Sequence, residues 1–465
     1  VAAGFFFQAL PAALRDEALP VALKNASITD TRITQLTGIL GILVGIKIIW
    51  APIIVRLGSP RRIINTTQAL IVASMGLLTL VAPQAFELPY ALVGLLVALS
   101  FLSAGHDIAI DGYYVASLHD TERSRLAGLL TAASKTGAVF AGPGLIWIAG
   151  WSAKAGNTPQ HAWADALLVA TLLGAASLMA CSFALGREPA EDPVVPKPFV
   201  ETLQKLFRDP RFPAVLLLIL FYRTSEIHLG KILTLFAVAP TQAGGLGLNN
   251  QDYATLRIIT AIGGLAVGGI LGSAIISRYG LTRSLVPMGI CMHIPIIGIA
   301  WLATHTAQSQ VVIGTLFFIE HVAYGAGVCA LILAMMRLAA GADAAVRYAT
   351  LSTIGIGAVY LPGIWAGWLA DKFGYANYFM LTLLLVPFGV WSAIVASRAL
   401  EDVRIWAASN RVQRRRLHCR PWRRVWPPKL HRSLRLILRL HATWHLAYGQ
   451  KPPDGLVDGQ RGGVI

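Results

Sequence analysis

At 465 residues, with 55% hydrophobic and only 13% charged residues and a mean hydropathy of +0.61, the chain is too apolar and too poor in charge to be soluble. It has room for about a dozen apolar spans of roughly 20 residues with short connections, which makes it a multi-pass membrane protein. The formal charge of +16 is no chain-wide nucleic-acid signal, because the segment from Glu401 onward, with 14 Lys and Arg against 4 Asp and Glu, carries most of it.

No cleavable leader precedes the first apolar run, and Val1 already lies in apolar sequence, so the chain is expected to begin slightly inside its first helix. Apolar runs separated by polar breaks predict spans near 2–23, 34–57, 63–83, 89–114, 125–150, 164–186, 212–239, 254–277, 284–304, 311–338, 346–370 and 376–398. The break at 187–211 holds Pro189, Pro193, Pro196, Pro198 and Pro210 among mixed charges and reads as an interdomain linker. The expected fold is therefore an all-α membrane protein of twelve transmembrane helices in two six-helix halves, 1–186 and 212–400, followed by a basic tail at 401–465. In that tail Arg414, Arg415, Arg416, Arg420, Arg423 and Arg424 alternate with Trp422 and Trp426, and no apolar period is long enough to pack. It reads as disordered or spread on anionic headgroups, with nucleic acid the weaker alternative partner.

The connections after even spans carry Arg56, Arg61, Arg62, Arg123, Arg125, Arg187, Lys197, Lys205, Arg208, Arg211, Arg278, Arg283, Arg337 and Arg347, whereas the others carry only Lys24, Arg32, Lys154 and Lys372. The positive-inside rule then puts the even loops and, with an even span count, both termini in the cytoplasm. Cys181, Cys291 and Cys329 lie in apolar runs and Cys419 in the tail, none at metal or disulfide spacing. Glycines of the fifth, eighth and eleventh spans, such as Gly264, Gly268 and Gly272, read as close-packing positions.

Charges inside the spans are the informative residues: Arg15, Asp16, Glu17, Lys47, His106, Asp107, Asp111, Lys135, Arg223, Glu226, His228, Lys231, Arg257, Glu320 and His321. Each is costly at membrane depth unless paired or hydrated, so together they imply a polar cavity, and the mixture of signs suits an anionic or zwitterionic solute with a proton relay. Asp107 and Asp111 are four apart and stack on one helix face, where repulsion favours keeping one protonated while Lys47 or Lys135 holds the other ionised. The alternative is that Asp111 is a helix end in water and Asp107 only pairs with a neighbouring cation.

Lys47-Ile48-Ile49-Trp50-Ala51-Pro52, Ser103-Ala104-Gly105-His106-Asp107-Ile108-Ala109-Ile110-Asp111, Tyr222-Arg223 with Glu226, and Phe318-Ile319-Glu320-His321 before Gly325-Ala326-Gly327 resemble the AmpG-type muropeptide permeases. These form a branch of the major facilitator superfamily related to the acetyl-coenzyme A transporters, and the resemblance runs from about Gly4 to about Ala396. It implies proton-driven import of GlcNAc-anhydroMurNAc peptides. Asp107, Asp111, Glu226 and Glu320 would then couple protons, and Lys47, Trp50, His106, Tyr113, Lys135, Arg223 and His321 would contact solute, the cations as clamps and Trp50 and Tyr113 as sugar platforms. Arg56, Arg61, Arg62, Glu122 and Arg125 would form a cytoplasmic gate. His106 stands where the family has Gln, Glu226 where it has Asp, and Val55 where the gate has Asp.

No G-x-S-x-G, HExxH or Walker sequence appears, so neither an enzyme nor a bound cofactor is expected. The expected partners are a small-molecule solute, protons and the lipid bilayer, with the chain a monomer that takes no part in nucleic-acid binding. Two alternatives stay open: transport of an acyl-coenzyme A or nucleotide-like solute, and a non-transporting assembly factor or sensor on the same fold.

Overall fold

The computed structural model of the chain describes residues 2–47, 54, 58–84, 89–117, 120–185, 199–305, 309–340 and 344–411, and among them every regular element is helical. The first half contains α1 (Ala2–Ala13), α2 (Leu19–Asn25), α3 (Asp30–Gly45), α4 (Pro60–Val81), α5 (Pro89–Ser117), α6 (Asp120–Val139), α7 (Leu145–Lys154) and α8 (Pro159–Ala184). After the linker helix α9 (Phe199–Phe207) come α10 (Phe212–Phe221), α11 (Thr224–Val238), α12 (Asn250–Tyr279), α13 (Leu281–His293), α14 (Pro295–Thr304), α15 (Gln310–Ala339), α16 (Ala344–Thr382) and α17 (Val386–Arg411).

Among the described residues eight helical segments are long and apolar enough to cross a membrane, and the last, Val346–Glu401, is long enough to cross twice. It turns back at Gly374, whose φ of 73° suits a residue without Cβ. The expected first and fifth spans fall outside that set because each is charged and interrupted, and the second runs past residue 47 out of the described residues. The first is α1 and α2 joined by a π-helical turn at Leu14–Ala18 that carries Arg15, Asp16 and Glu17. The fifth is α6 and α7 joined by a second π-helical turn at Phe140–Gly144, which contains Pro143 and so lacks one ladder donor.

Several helices start three to five residues before the apolar run that predicts them, as at Asp30, Pro60, Pro159 and Asn250. The reason is capping: Thr29, Ser59, Thr158, Asn249 and Ser309 each accept a backbone N–H of the first turn, and Pro60 and Pro159 occupy the first helical position. At the other end of the chain, α17 runs to Arg411, past the expected start of the tail at 401.

Within each half the helices pack through glycine. On α12, Gly264, Gly268 and Gly272 are buried, and a Cβ at Gly264 would come within 2.6 Å of the His321 Cβ on α15. Between the halves α3 lies along α16, with Gly38 against Ile364 and Gly45 against Ile356. The π-helical turns of the first and fifth spans meet as well, and Gly142 leaves room for Glu17.

Candidate functional site

The two halves are tied together at one end. Asp30, at the start of α3, accepts from Tyr375 at 2.6 Å and from Lys24 at 2.5 Å. Asp371 accepts from the Thr31 amide at 2.8 Å and the Thr31 hydroxyl at 2.6 Å, Gly367 N–H donates to Thr34, and Asn25 donates to Asn250. All these residues lie at or near the connections after odd spans, where Lys and Arg are few. The even-loop end bears most of the basic residues, and toward it Asp111 and Lys135 are exposed. The molecule is sealed at the odd-loop face and open toward the even-loop face.

Just inside the seal is a polar layer contributed by both halves. The Arg15 guanidinium donates to Asp16 at 2.9 and 2.7 Å and to the Tyr360 hydroxyl at 2.9 Å, and that hydroxyl donates to Asp16 at 2.7 Å. Lys231 sits over the Tyr360 ring at 4.3 Å. Glu17 faces Arg257 at 3.6 Å. Arg257 also contacts His321 Nε2, and His321 Nδ1 lies 2.7 Å from the Phe317 carbonyl and 2.9 Å from Glu320. That network makes Nε2 the acceptor and puts the ring proton on Nδ1.

The second half adds a pair at a helix break. Tyr222 and Arg223 form a turn between α10 and α11, so Glu226 falls in the first turn of α11, where the helix dipole favours a carboxylate. Arg223 Nε donates to Glu226 at 2.9 Å, and its guanidinium reaches the Tyr324 hydroxyl at 3.2 Å and lies over that ring. The first half supplies Lys47, in ion-pair contact with Asp107 and within electrostatic reach of Asp111.

The expected stacking of the aspartates beside Lys47 is present, but their depth is not central. Asp107 lies about 27 Å along α5 from its odd-loop end, at about 1.5 Å per residue, whereas Glu17, Arg257 and Lys231 lie only about 10 to 12 Å from theirs. The aspartates therefore stand in the mouth, with Asp111 exposed to it. Lys135 is exposed on the α6 face that leads up two turns to Gly142 and Glu17.

Three expected solute contacts do not face the cavity. His106 is 1% exposed, takes a hydrogen bond from Gln68 at 3.1 Å and packs against Phe7. Tyr113 packs with Ile63 and Ile64. Both share the Ile110 face of α5, roughly 100° round from the face of Asp107 and Asp111, so helical geometry turns them into the wall. His321 is buried behind Arg257 and reaches the cavity only through it, and Glu320 is buried beside His321. Of the expected gate, Arg61 is half-buried and donates to the Ser182 carbonyl at the end of α8, and Arg62 is exposed. Trp50, Val55, Arg56 and the side chains of Glu122 and Arg125 lie outside the described residues.

Arg15, Asp16, Glu17, Lys231 and Arg257 are visible as buried charges in the sequence, but nothing in spacing alone joins them, because they come from three spans. Tyr360 carries no sequence signal: it is one aromatic in an apolar run. Among the described residues no cluster of His, Cys, Asp and Glu is arranged to hold a metal ion.

The profile of the Major Facilitator Superfamily matches residues 2–362. The Anhydromuropeptide permease of Escherichia coli (strain K12) is 26% identical over 418 residues, covering 86% of this chain and 79% of that one. The Putative transporter AmpG 4 of Rickettsia felis (strain ATCC VR-1525 / URRWXCal2) is 21% identical over 393 residues, covering 81% and 90%. Among solved structures, a bacterial homolog to human lysosomal transporter Spinster, inward-facing and unoccupied, superposes with a TM-score of 0.66 at 18% identity, covering 86% of this chain and 96% of the other. The D-xylose-proton symporter gives 0.63 at 14%, covering 85% and 95%. The solved structures agree with this chain in fold, and the relatives by sequence carry the names of an anhydromuropeptide permease and of a putative AmpG transporter.

Proposed function

This chain belongs to the Major Facilitator Superfamily, and we propose that it imports a polar anionic solute, of the muropeptide class, into the cytoplasm together with protons. The observation that carries this reading is the charge balance of a cavity sealed at one end. With histidines neutral, Arg15, Lys47, Lys135, Arg223, Lys231 and Arg257 are matched by Asp16, Glu17, Asp107, Asp111, Glu226 and Glu320. An anion entering such a balanced site leaves uncompensated charge in a poorly polarisable medium unless a proton enters with it. The carboxylates can take that proton and the cations can hold the anion, so symport needs no further component.

The open end bears the basic loops. Under the positive-inside rule it is cytoplasmic, both termini lie there, and the conformation is the inward-facing one of an inner-membrane importer acting as a monomer. The names of the relatives support GlcNAc-anhydroMurNAc peptides as the solute. Within this reading Lys47, Asp107, Asp111 and Lys135 serve the mouth, and Arg223, Glu226, Glu320 and His321 serve the deeper site.

The test is uptake of labelled GlcNAc-anhydroMurNAc-tripeptide by the full chain in proteoliposomes. An inside-alkaline pH gradient should drive accumulation above the external concentration, and collapsing the gradient should leave only equilibration. Uptake that ignores the gradient would exclude proton coupling, and no uptake would exclude this solute.

A further inference from the structure

Arg257 is a half-buried cation whose partners do not use all of its donors. Its guanidinium touches His321 on one side, where the glycine stripe of α12 brings the backbones of α12 and α15 together. Gly264 is seven residues from Arg257 and so on the same face, which fixes Arg257 against α15. The Nε group of Arg257 is buried and has no hydrogen-bond acceptor. It points at Glu17 across the junction of the halves, but at 3.6 Å the two are an ion pair without a hydrogen bond. A guanidinium edge with an unused donor, facing a carboxylate that does not close on it, is a site fitted to a planar anion that would bind it in two-pronged fashion.

Building on the symport reading above, we propose that Arg257 is the anchor for a carboxylate of the transported solute and that Glu17 is the resident carboxylate holding its place. When Glu17 takes a proton it becomes neutral and releases Arg257; the solute carboxylate then pairs with Arg257, and one proton and one negative charge enter the site together. On release of the solute, Glu17 gives its proton to the cytoplasm and pairs with Arg257 again. Because Glu17 belongs to the first half and Arg257 to the second, the same protonation unfastens the halves just beneath the seal.

The surroundings of Glu17 allow this exchange. From the eighth span it faces Arg257 and Tyr253, whose hydroxyl is engaged with Thr234 at 2.8 Å. The fifth span presents Gly142, whose missing side chain leaves room beside Glu17. Lys231 and Tyr360, from the seventh and eleventh spans, are directed to Asp16, which also holds Arg15. Glu320 and His321 of the tenth span stand behind Arg257. Glu17 thus has no close hydrogen-bonded cation, whereas Asp16 is held by Arg15 and Tyr360.

The test has two arms. In proteoliposomes, counterflow is measured between about pH 5.5 and about pH 8 with GlcNAc-anhydroMurNAc-tripeptide and with the same compound after its carboxyls are converted to amides. The parent chain should prefer the carboxylate form by roughly tenfold or more, and its half-saturation should rise with pH as ionised Glu17 reclaims Arg257. Arg257→Gln should abolish the preference and Arg257→Lys restore part of it; Glu17→Gln should keep the preference and lose the pH rise. A preference surviving Arg257→Gln, or a pH rise surviving Glu17→Gln, overturns the proposal.

The second arm needs no solute, so it still decides the role of Glu17 if the parent passes neither compound and the muropeptide reading falls. Spin labels are placed at Asn157 and Gln242, exposed on the odd-loop face of the two halves, in a background freed of native cysteines. Their separation should lengthen on acidification in the parent and be long at both pH values in Glu17→Gln. An acid response that Glu17→Gln leaves unchanged overturns the latch and with it the proposal.

Discussion

Tyr375 donates its hydroxyl to Asp30 at 2.6 Å, joining the turn between the last two spans to the start of the second. The acceptor is a buried carboxylate that also holds Lys24, so losing the donor leaves it short of a partner. That costs about 1 to 3 kcal/mol, a fivefold to hundredfold change in equilibrium. Tyr375→Phe should therefore shift the population away from the sealed state. A cysteine replacing buried Thr37, near the α3 face that meets α16, should become more reactive to an impermeant maleimide from outside in Tyr375→Phe and more still with Asp371→Asn. Unchanged reactivity would mean that the α3 and α16 packing alone holds the seal.

The Arg223 and Glu226 pair separates stability from transport. Removing one member of a buried ion pair strands the other, at a cost of about 3 to 5 kcal/mol, whereas replacing both by apolar residues of like size is often neutral. Glu226→Gln should lower the unfolding temperature clearly; Arg223→Met with Glu226→Met should recover it. Neither should accumulate solute, if the pair serves the cavity. Transport by the double variant would make the pair a packing device at the break between α10 and α11.

Asp209 lies outside the spans, ahead of α10, and accepts from Arg211 at 2.8 and 2.6 Å and from Arg347 at 3.4 Å. Burial pushes its carboxyl upward, but the hydrogen bonds and charge of Arg211, with the charge of Arg347, outweigh that and hold it below the usual carboxylate range. A folded-state value below the unfolded one adds stability above about pH 4, lost as pH falls through the folded value. Asp209→Asn should thus be less stable than the parent near neutrality, and the two should converge in strong acid. The check is thermal unfolding of both against pH; a gap that persists at the acid end would assign the effect to the shape of the side chain.

Periodicity and hydropathy were enough to read the helices, because membrane spans need continuous apolar runs and this chain interrupts them at turn residues. Their starts were misplaced for the reason seen at Thr29 and Ser59: a cap is polar and lies before the apolar run. The candidate site was legible where charge stood in an apolar context, as at Lys47, Asp107 and Glu226. It was not legible where partners come from different spans: Tyr360 joins Arg15 and Asp16 only in three dimensions, across 345 and 344 positions. His106 and Tyr113 show the converse, since neighbours of a functional face can belong to the wall.

Asp107 and Asp111 should respond differently to neutralisation, because among the described contacts Asp107 pairs directly with Lys47 and Asp111 interacts with it electrostatically. Asp107 is in contact with the Lys47 ammonium, and both side chains are mostly shielded, 16% and 23% exposed. Asp111 is exposed one turn nearer the even-loop end. As two carboxylates interact with one cation, under the proposed symport a proton taken up there would belong to the group of three and not to either aspartate alone. Asp107→Asn should free Lys47, remove the place where that proton is shared, and so abolish accumulation against a gradient while sparing solute exchange. Asp111→Asn should be milder, since water already reaches that carboxylate. Gradient-driven uptake beside counterflow in proteoliposomes separates the two effects: full accumulation by Asp107→Asn would take this residue off the proton path and leave the mouth to Lys47 and Lys135 as cation gates alone.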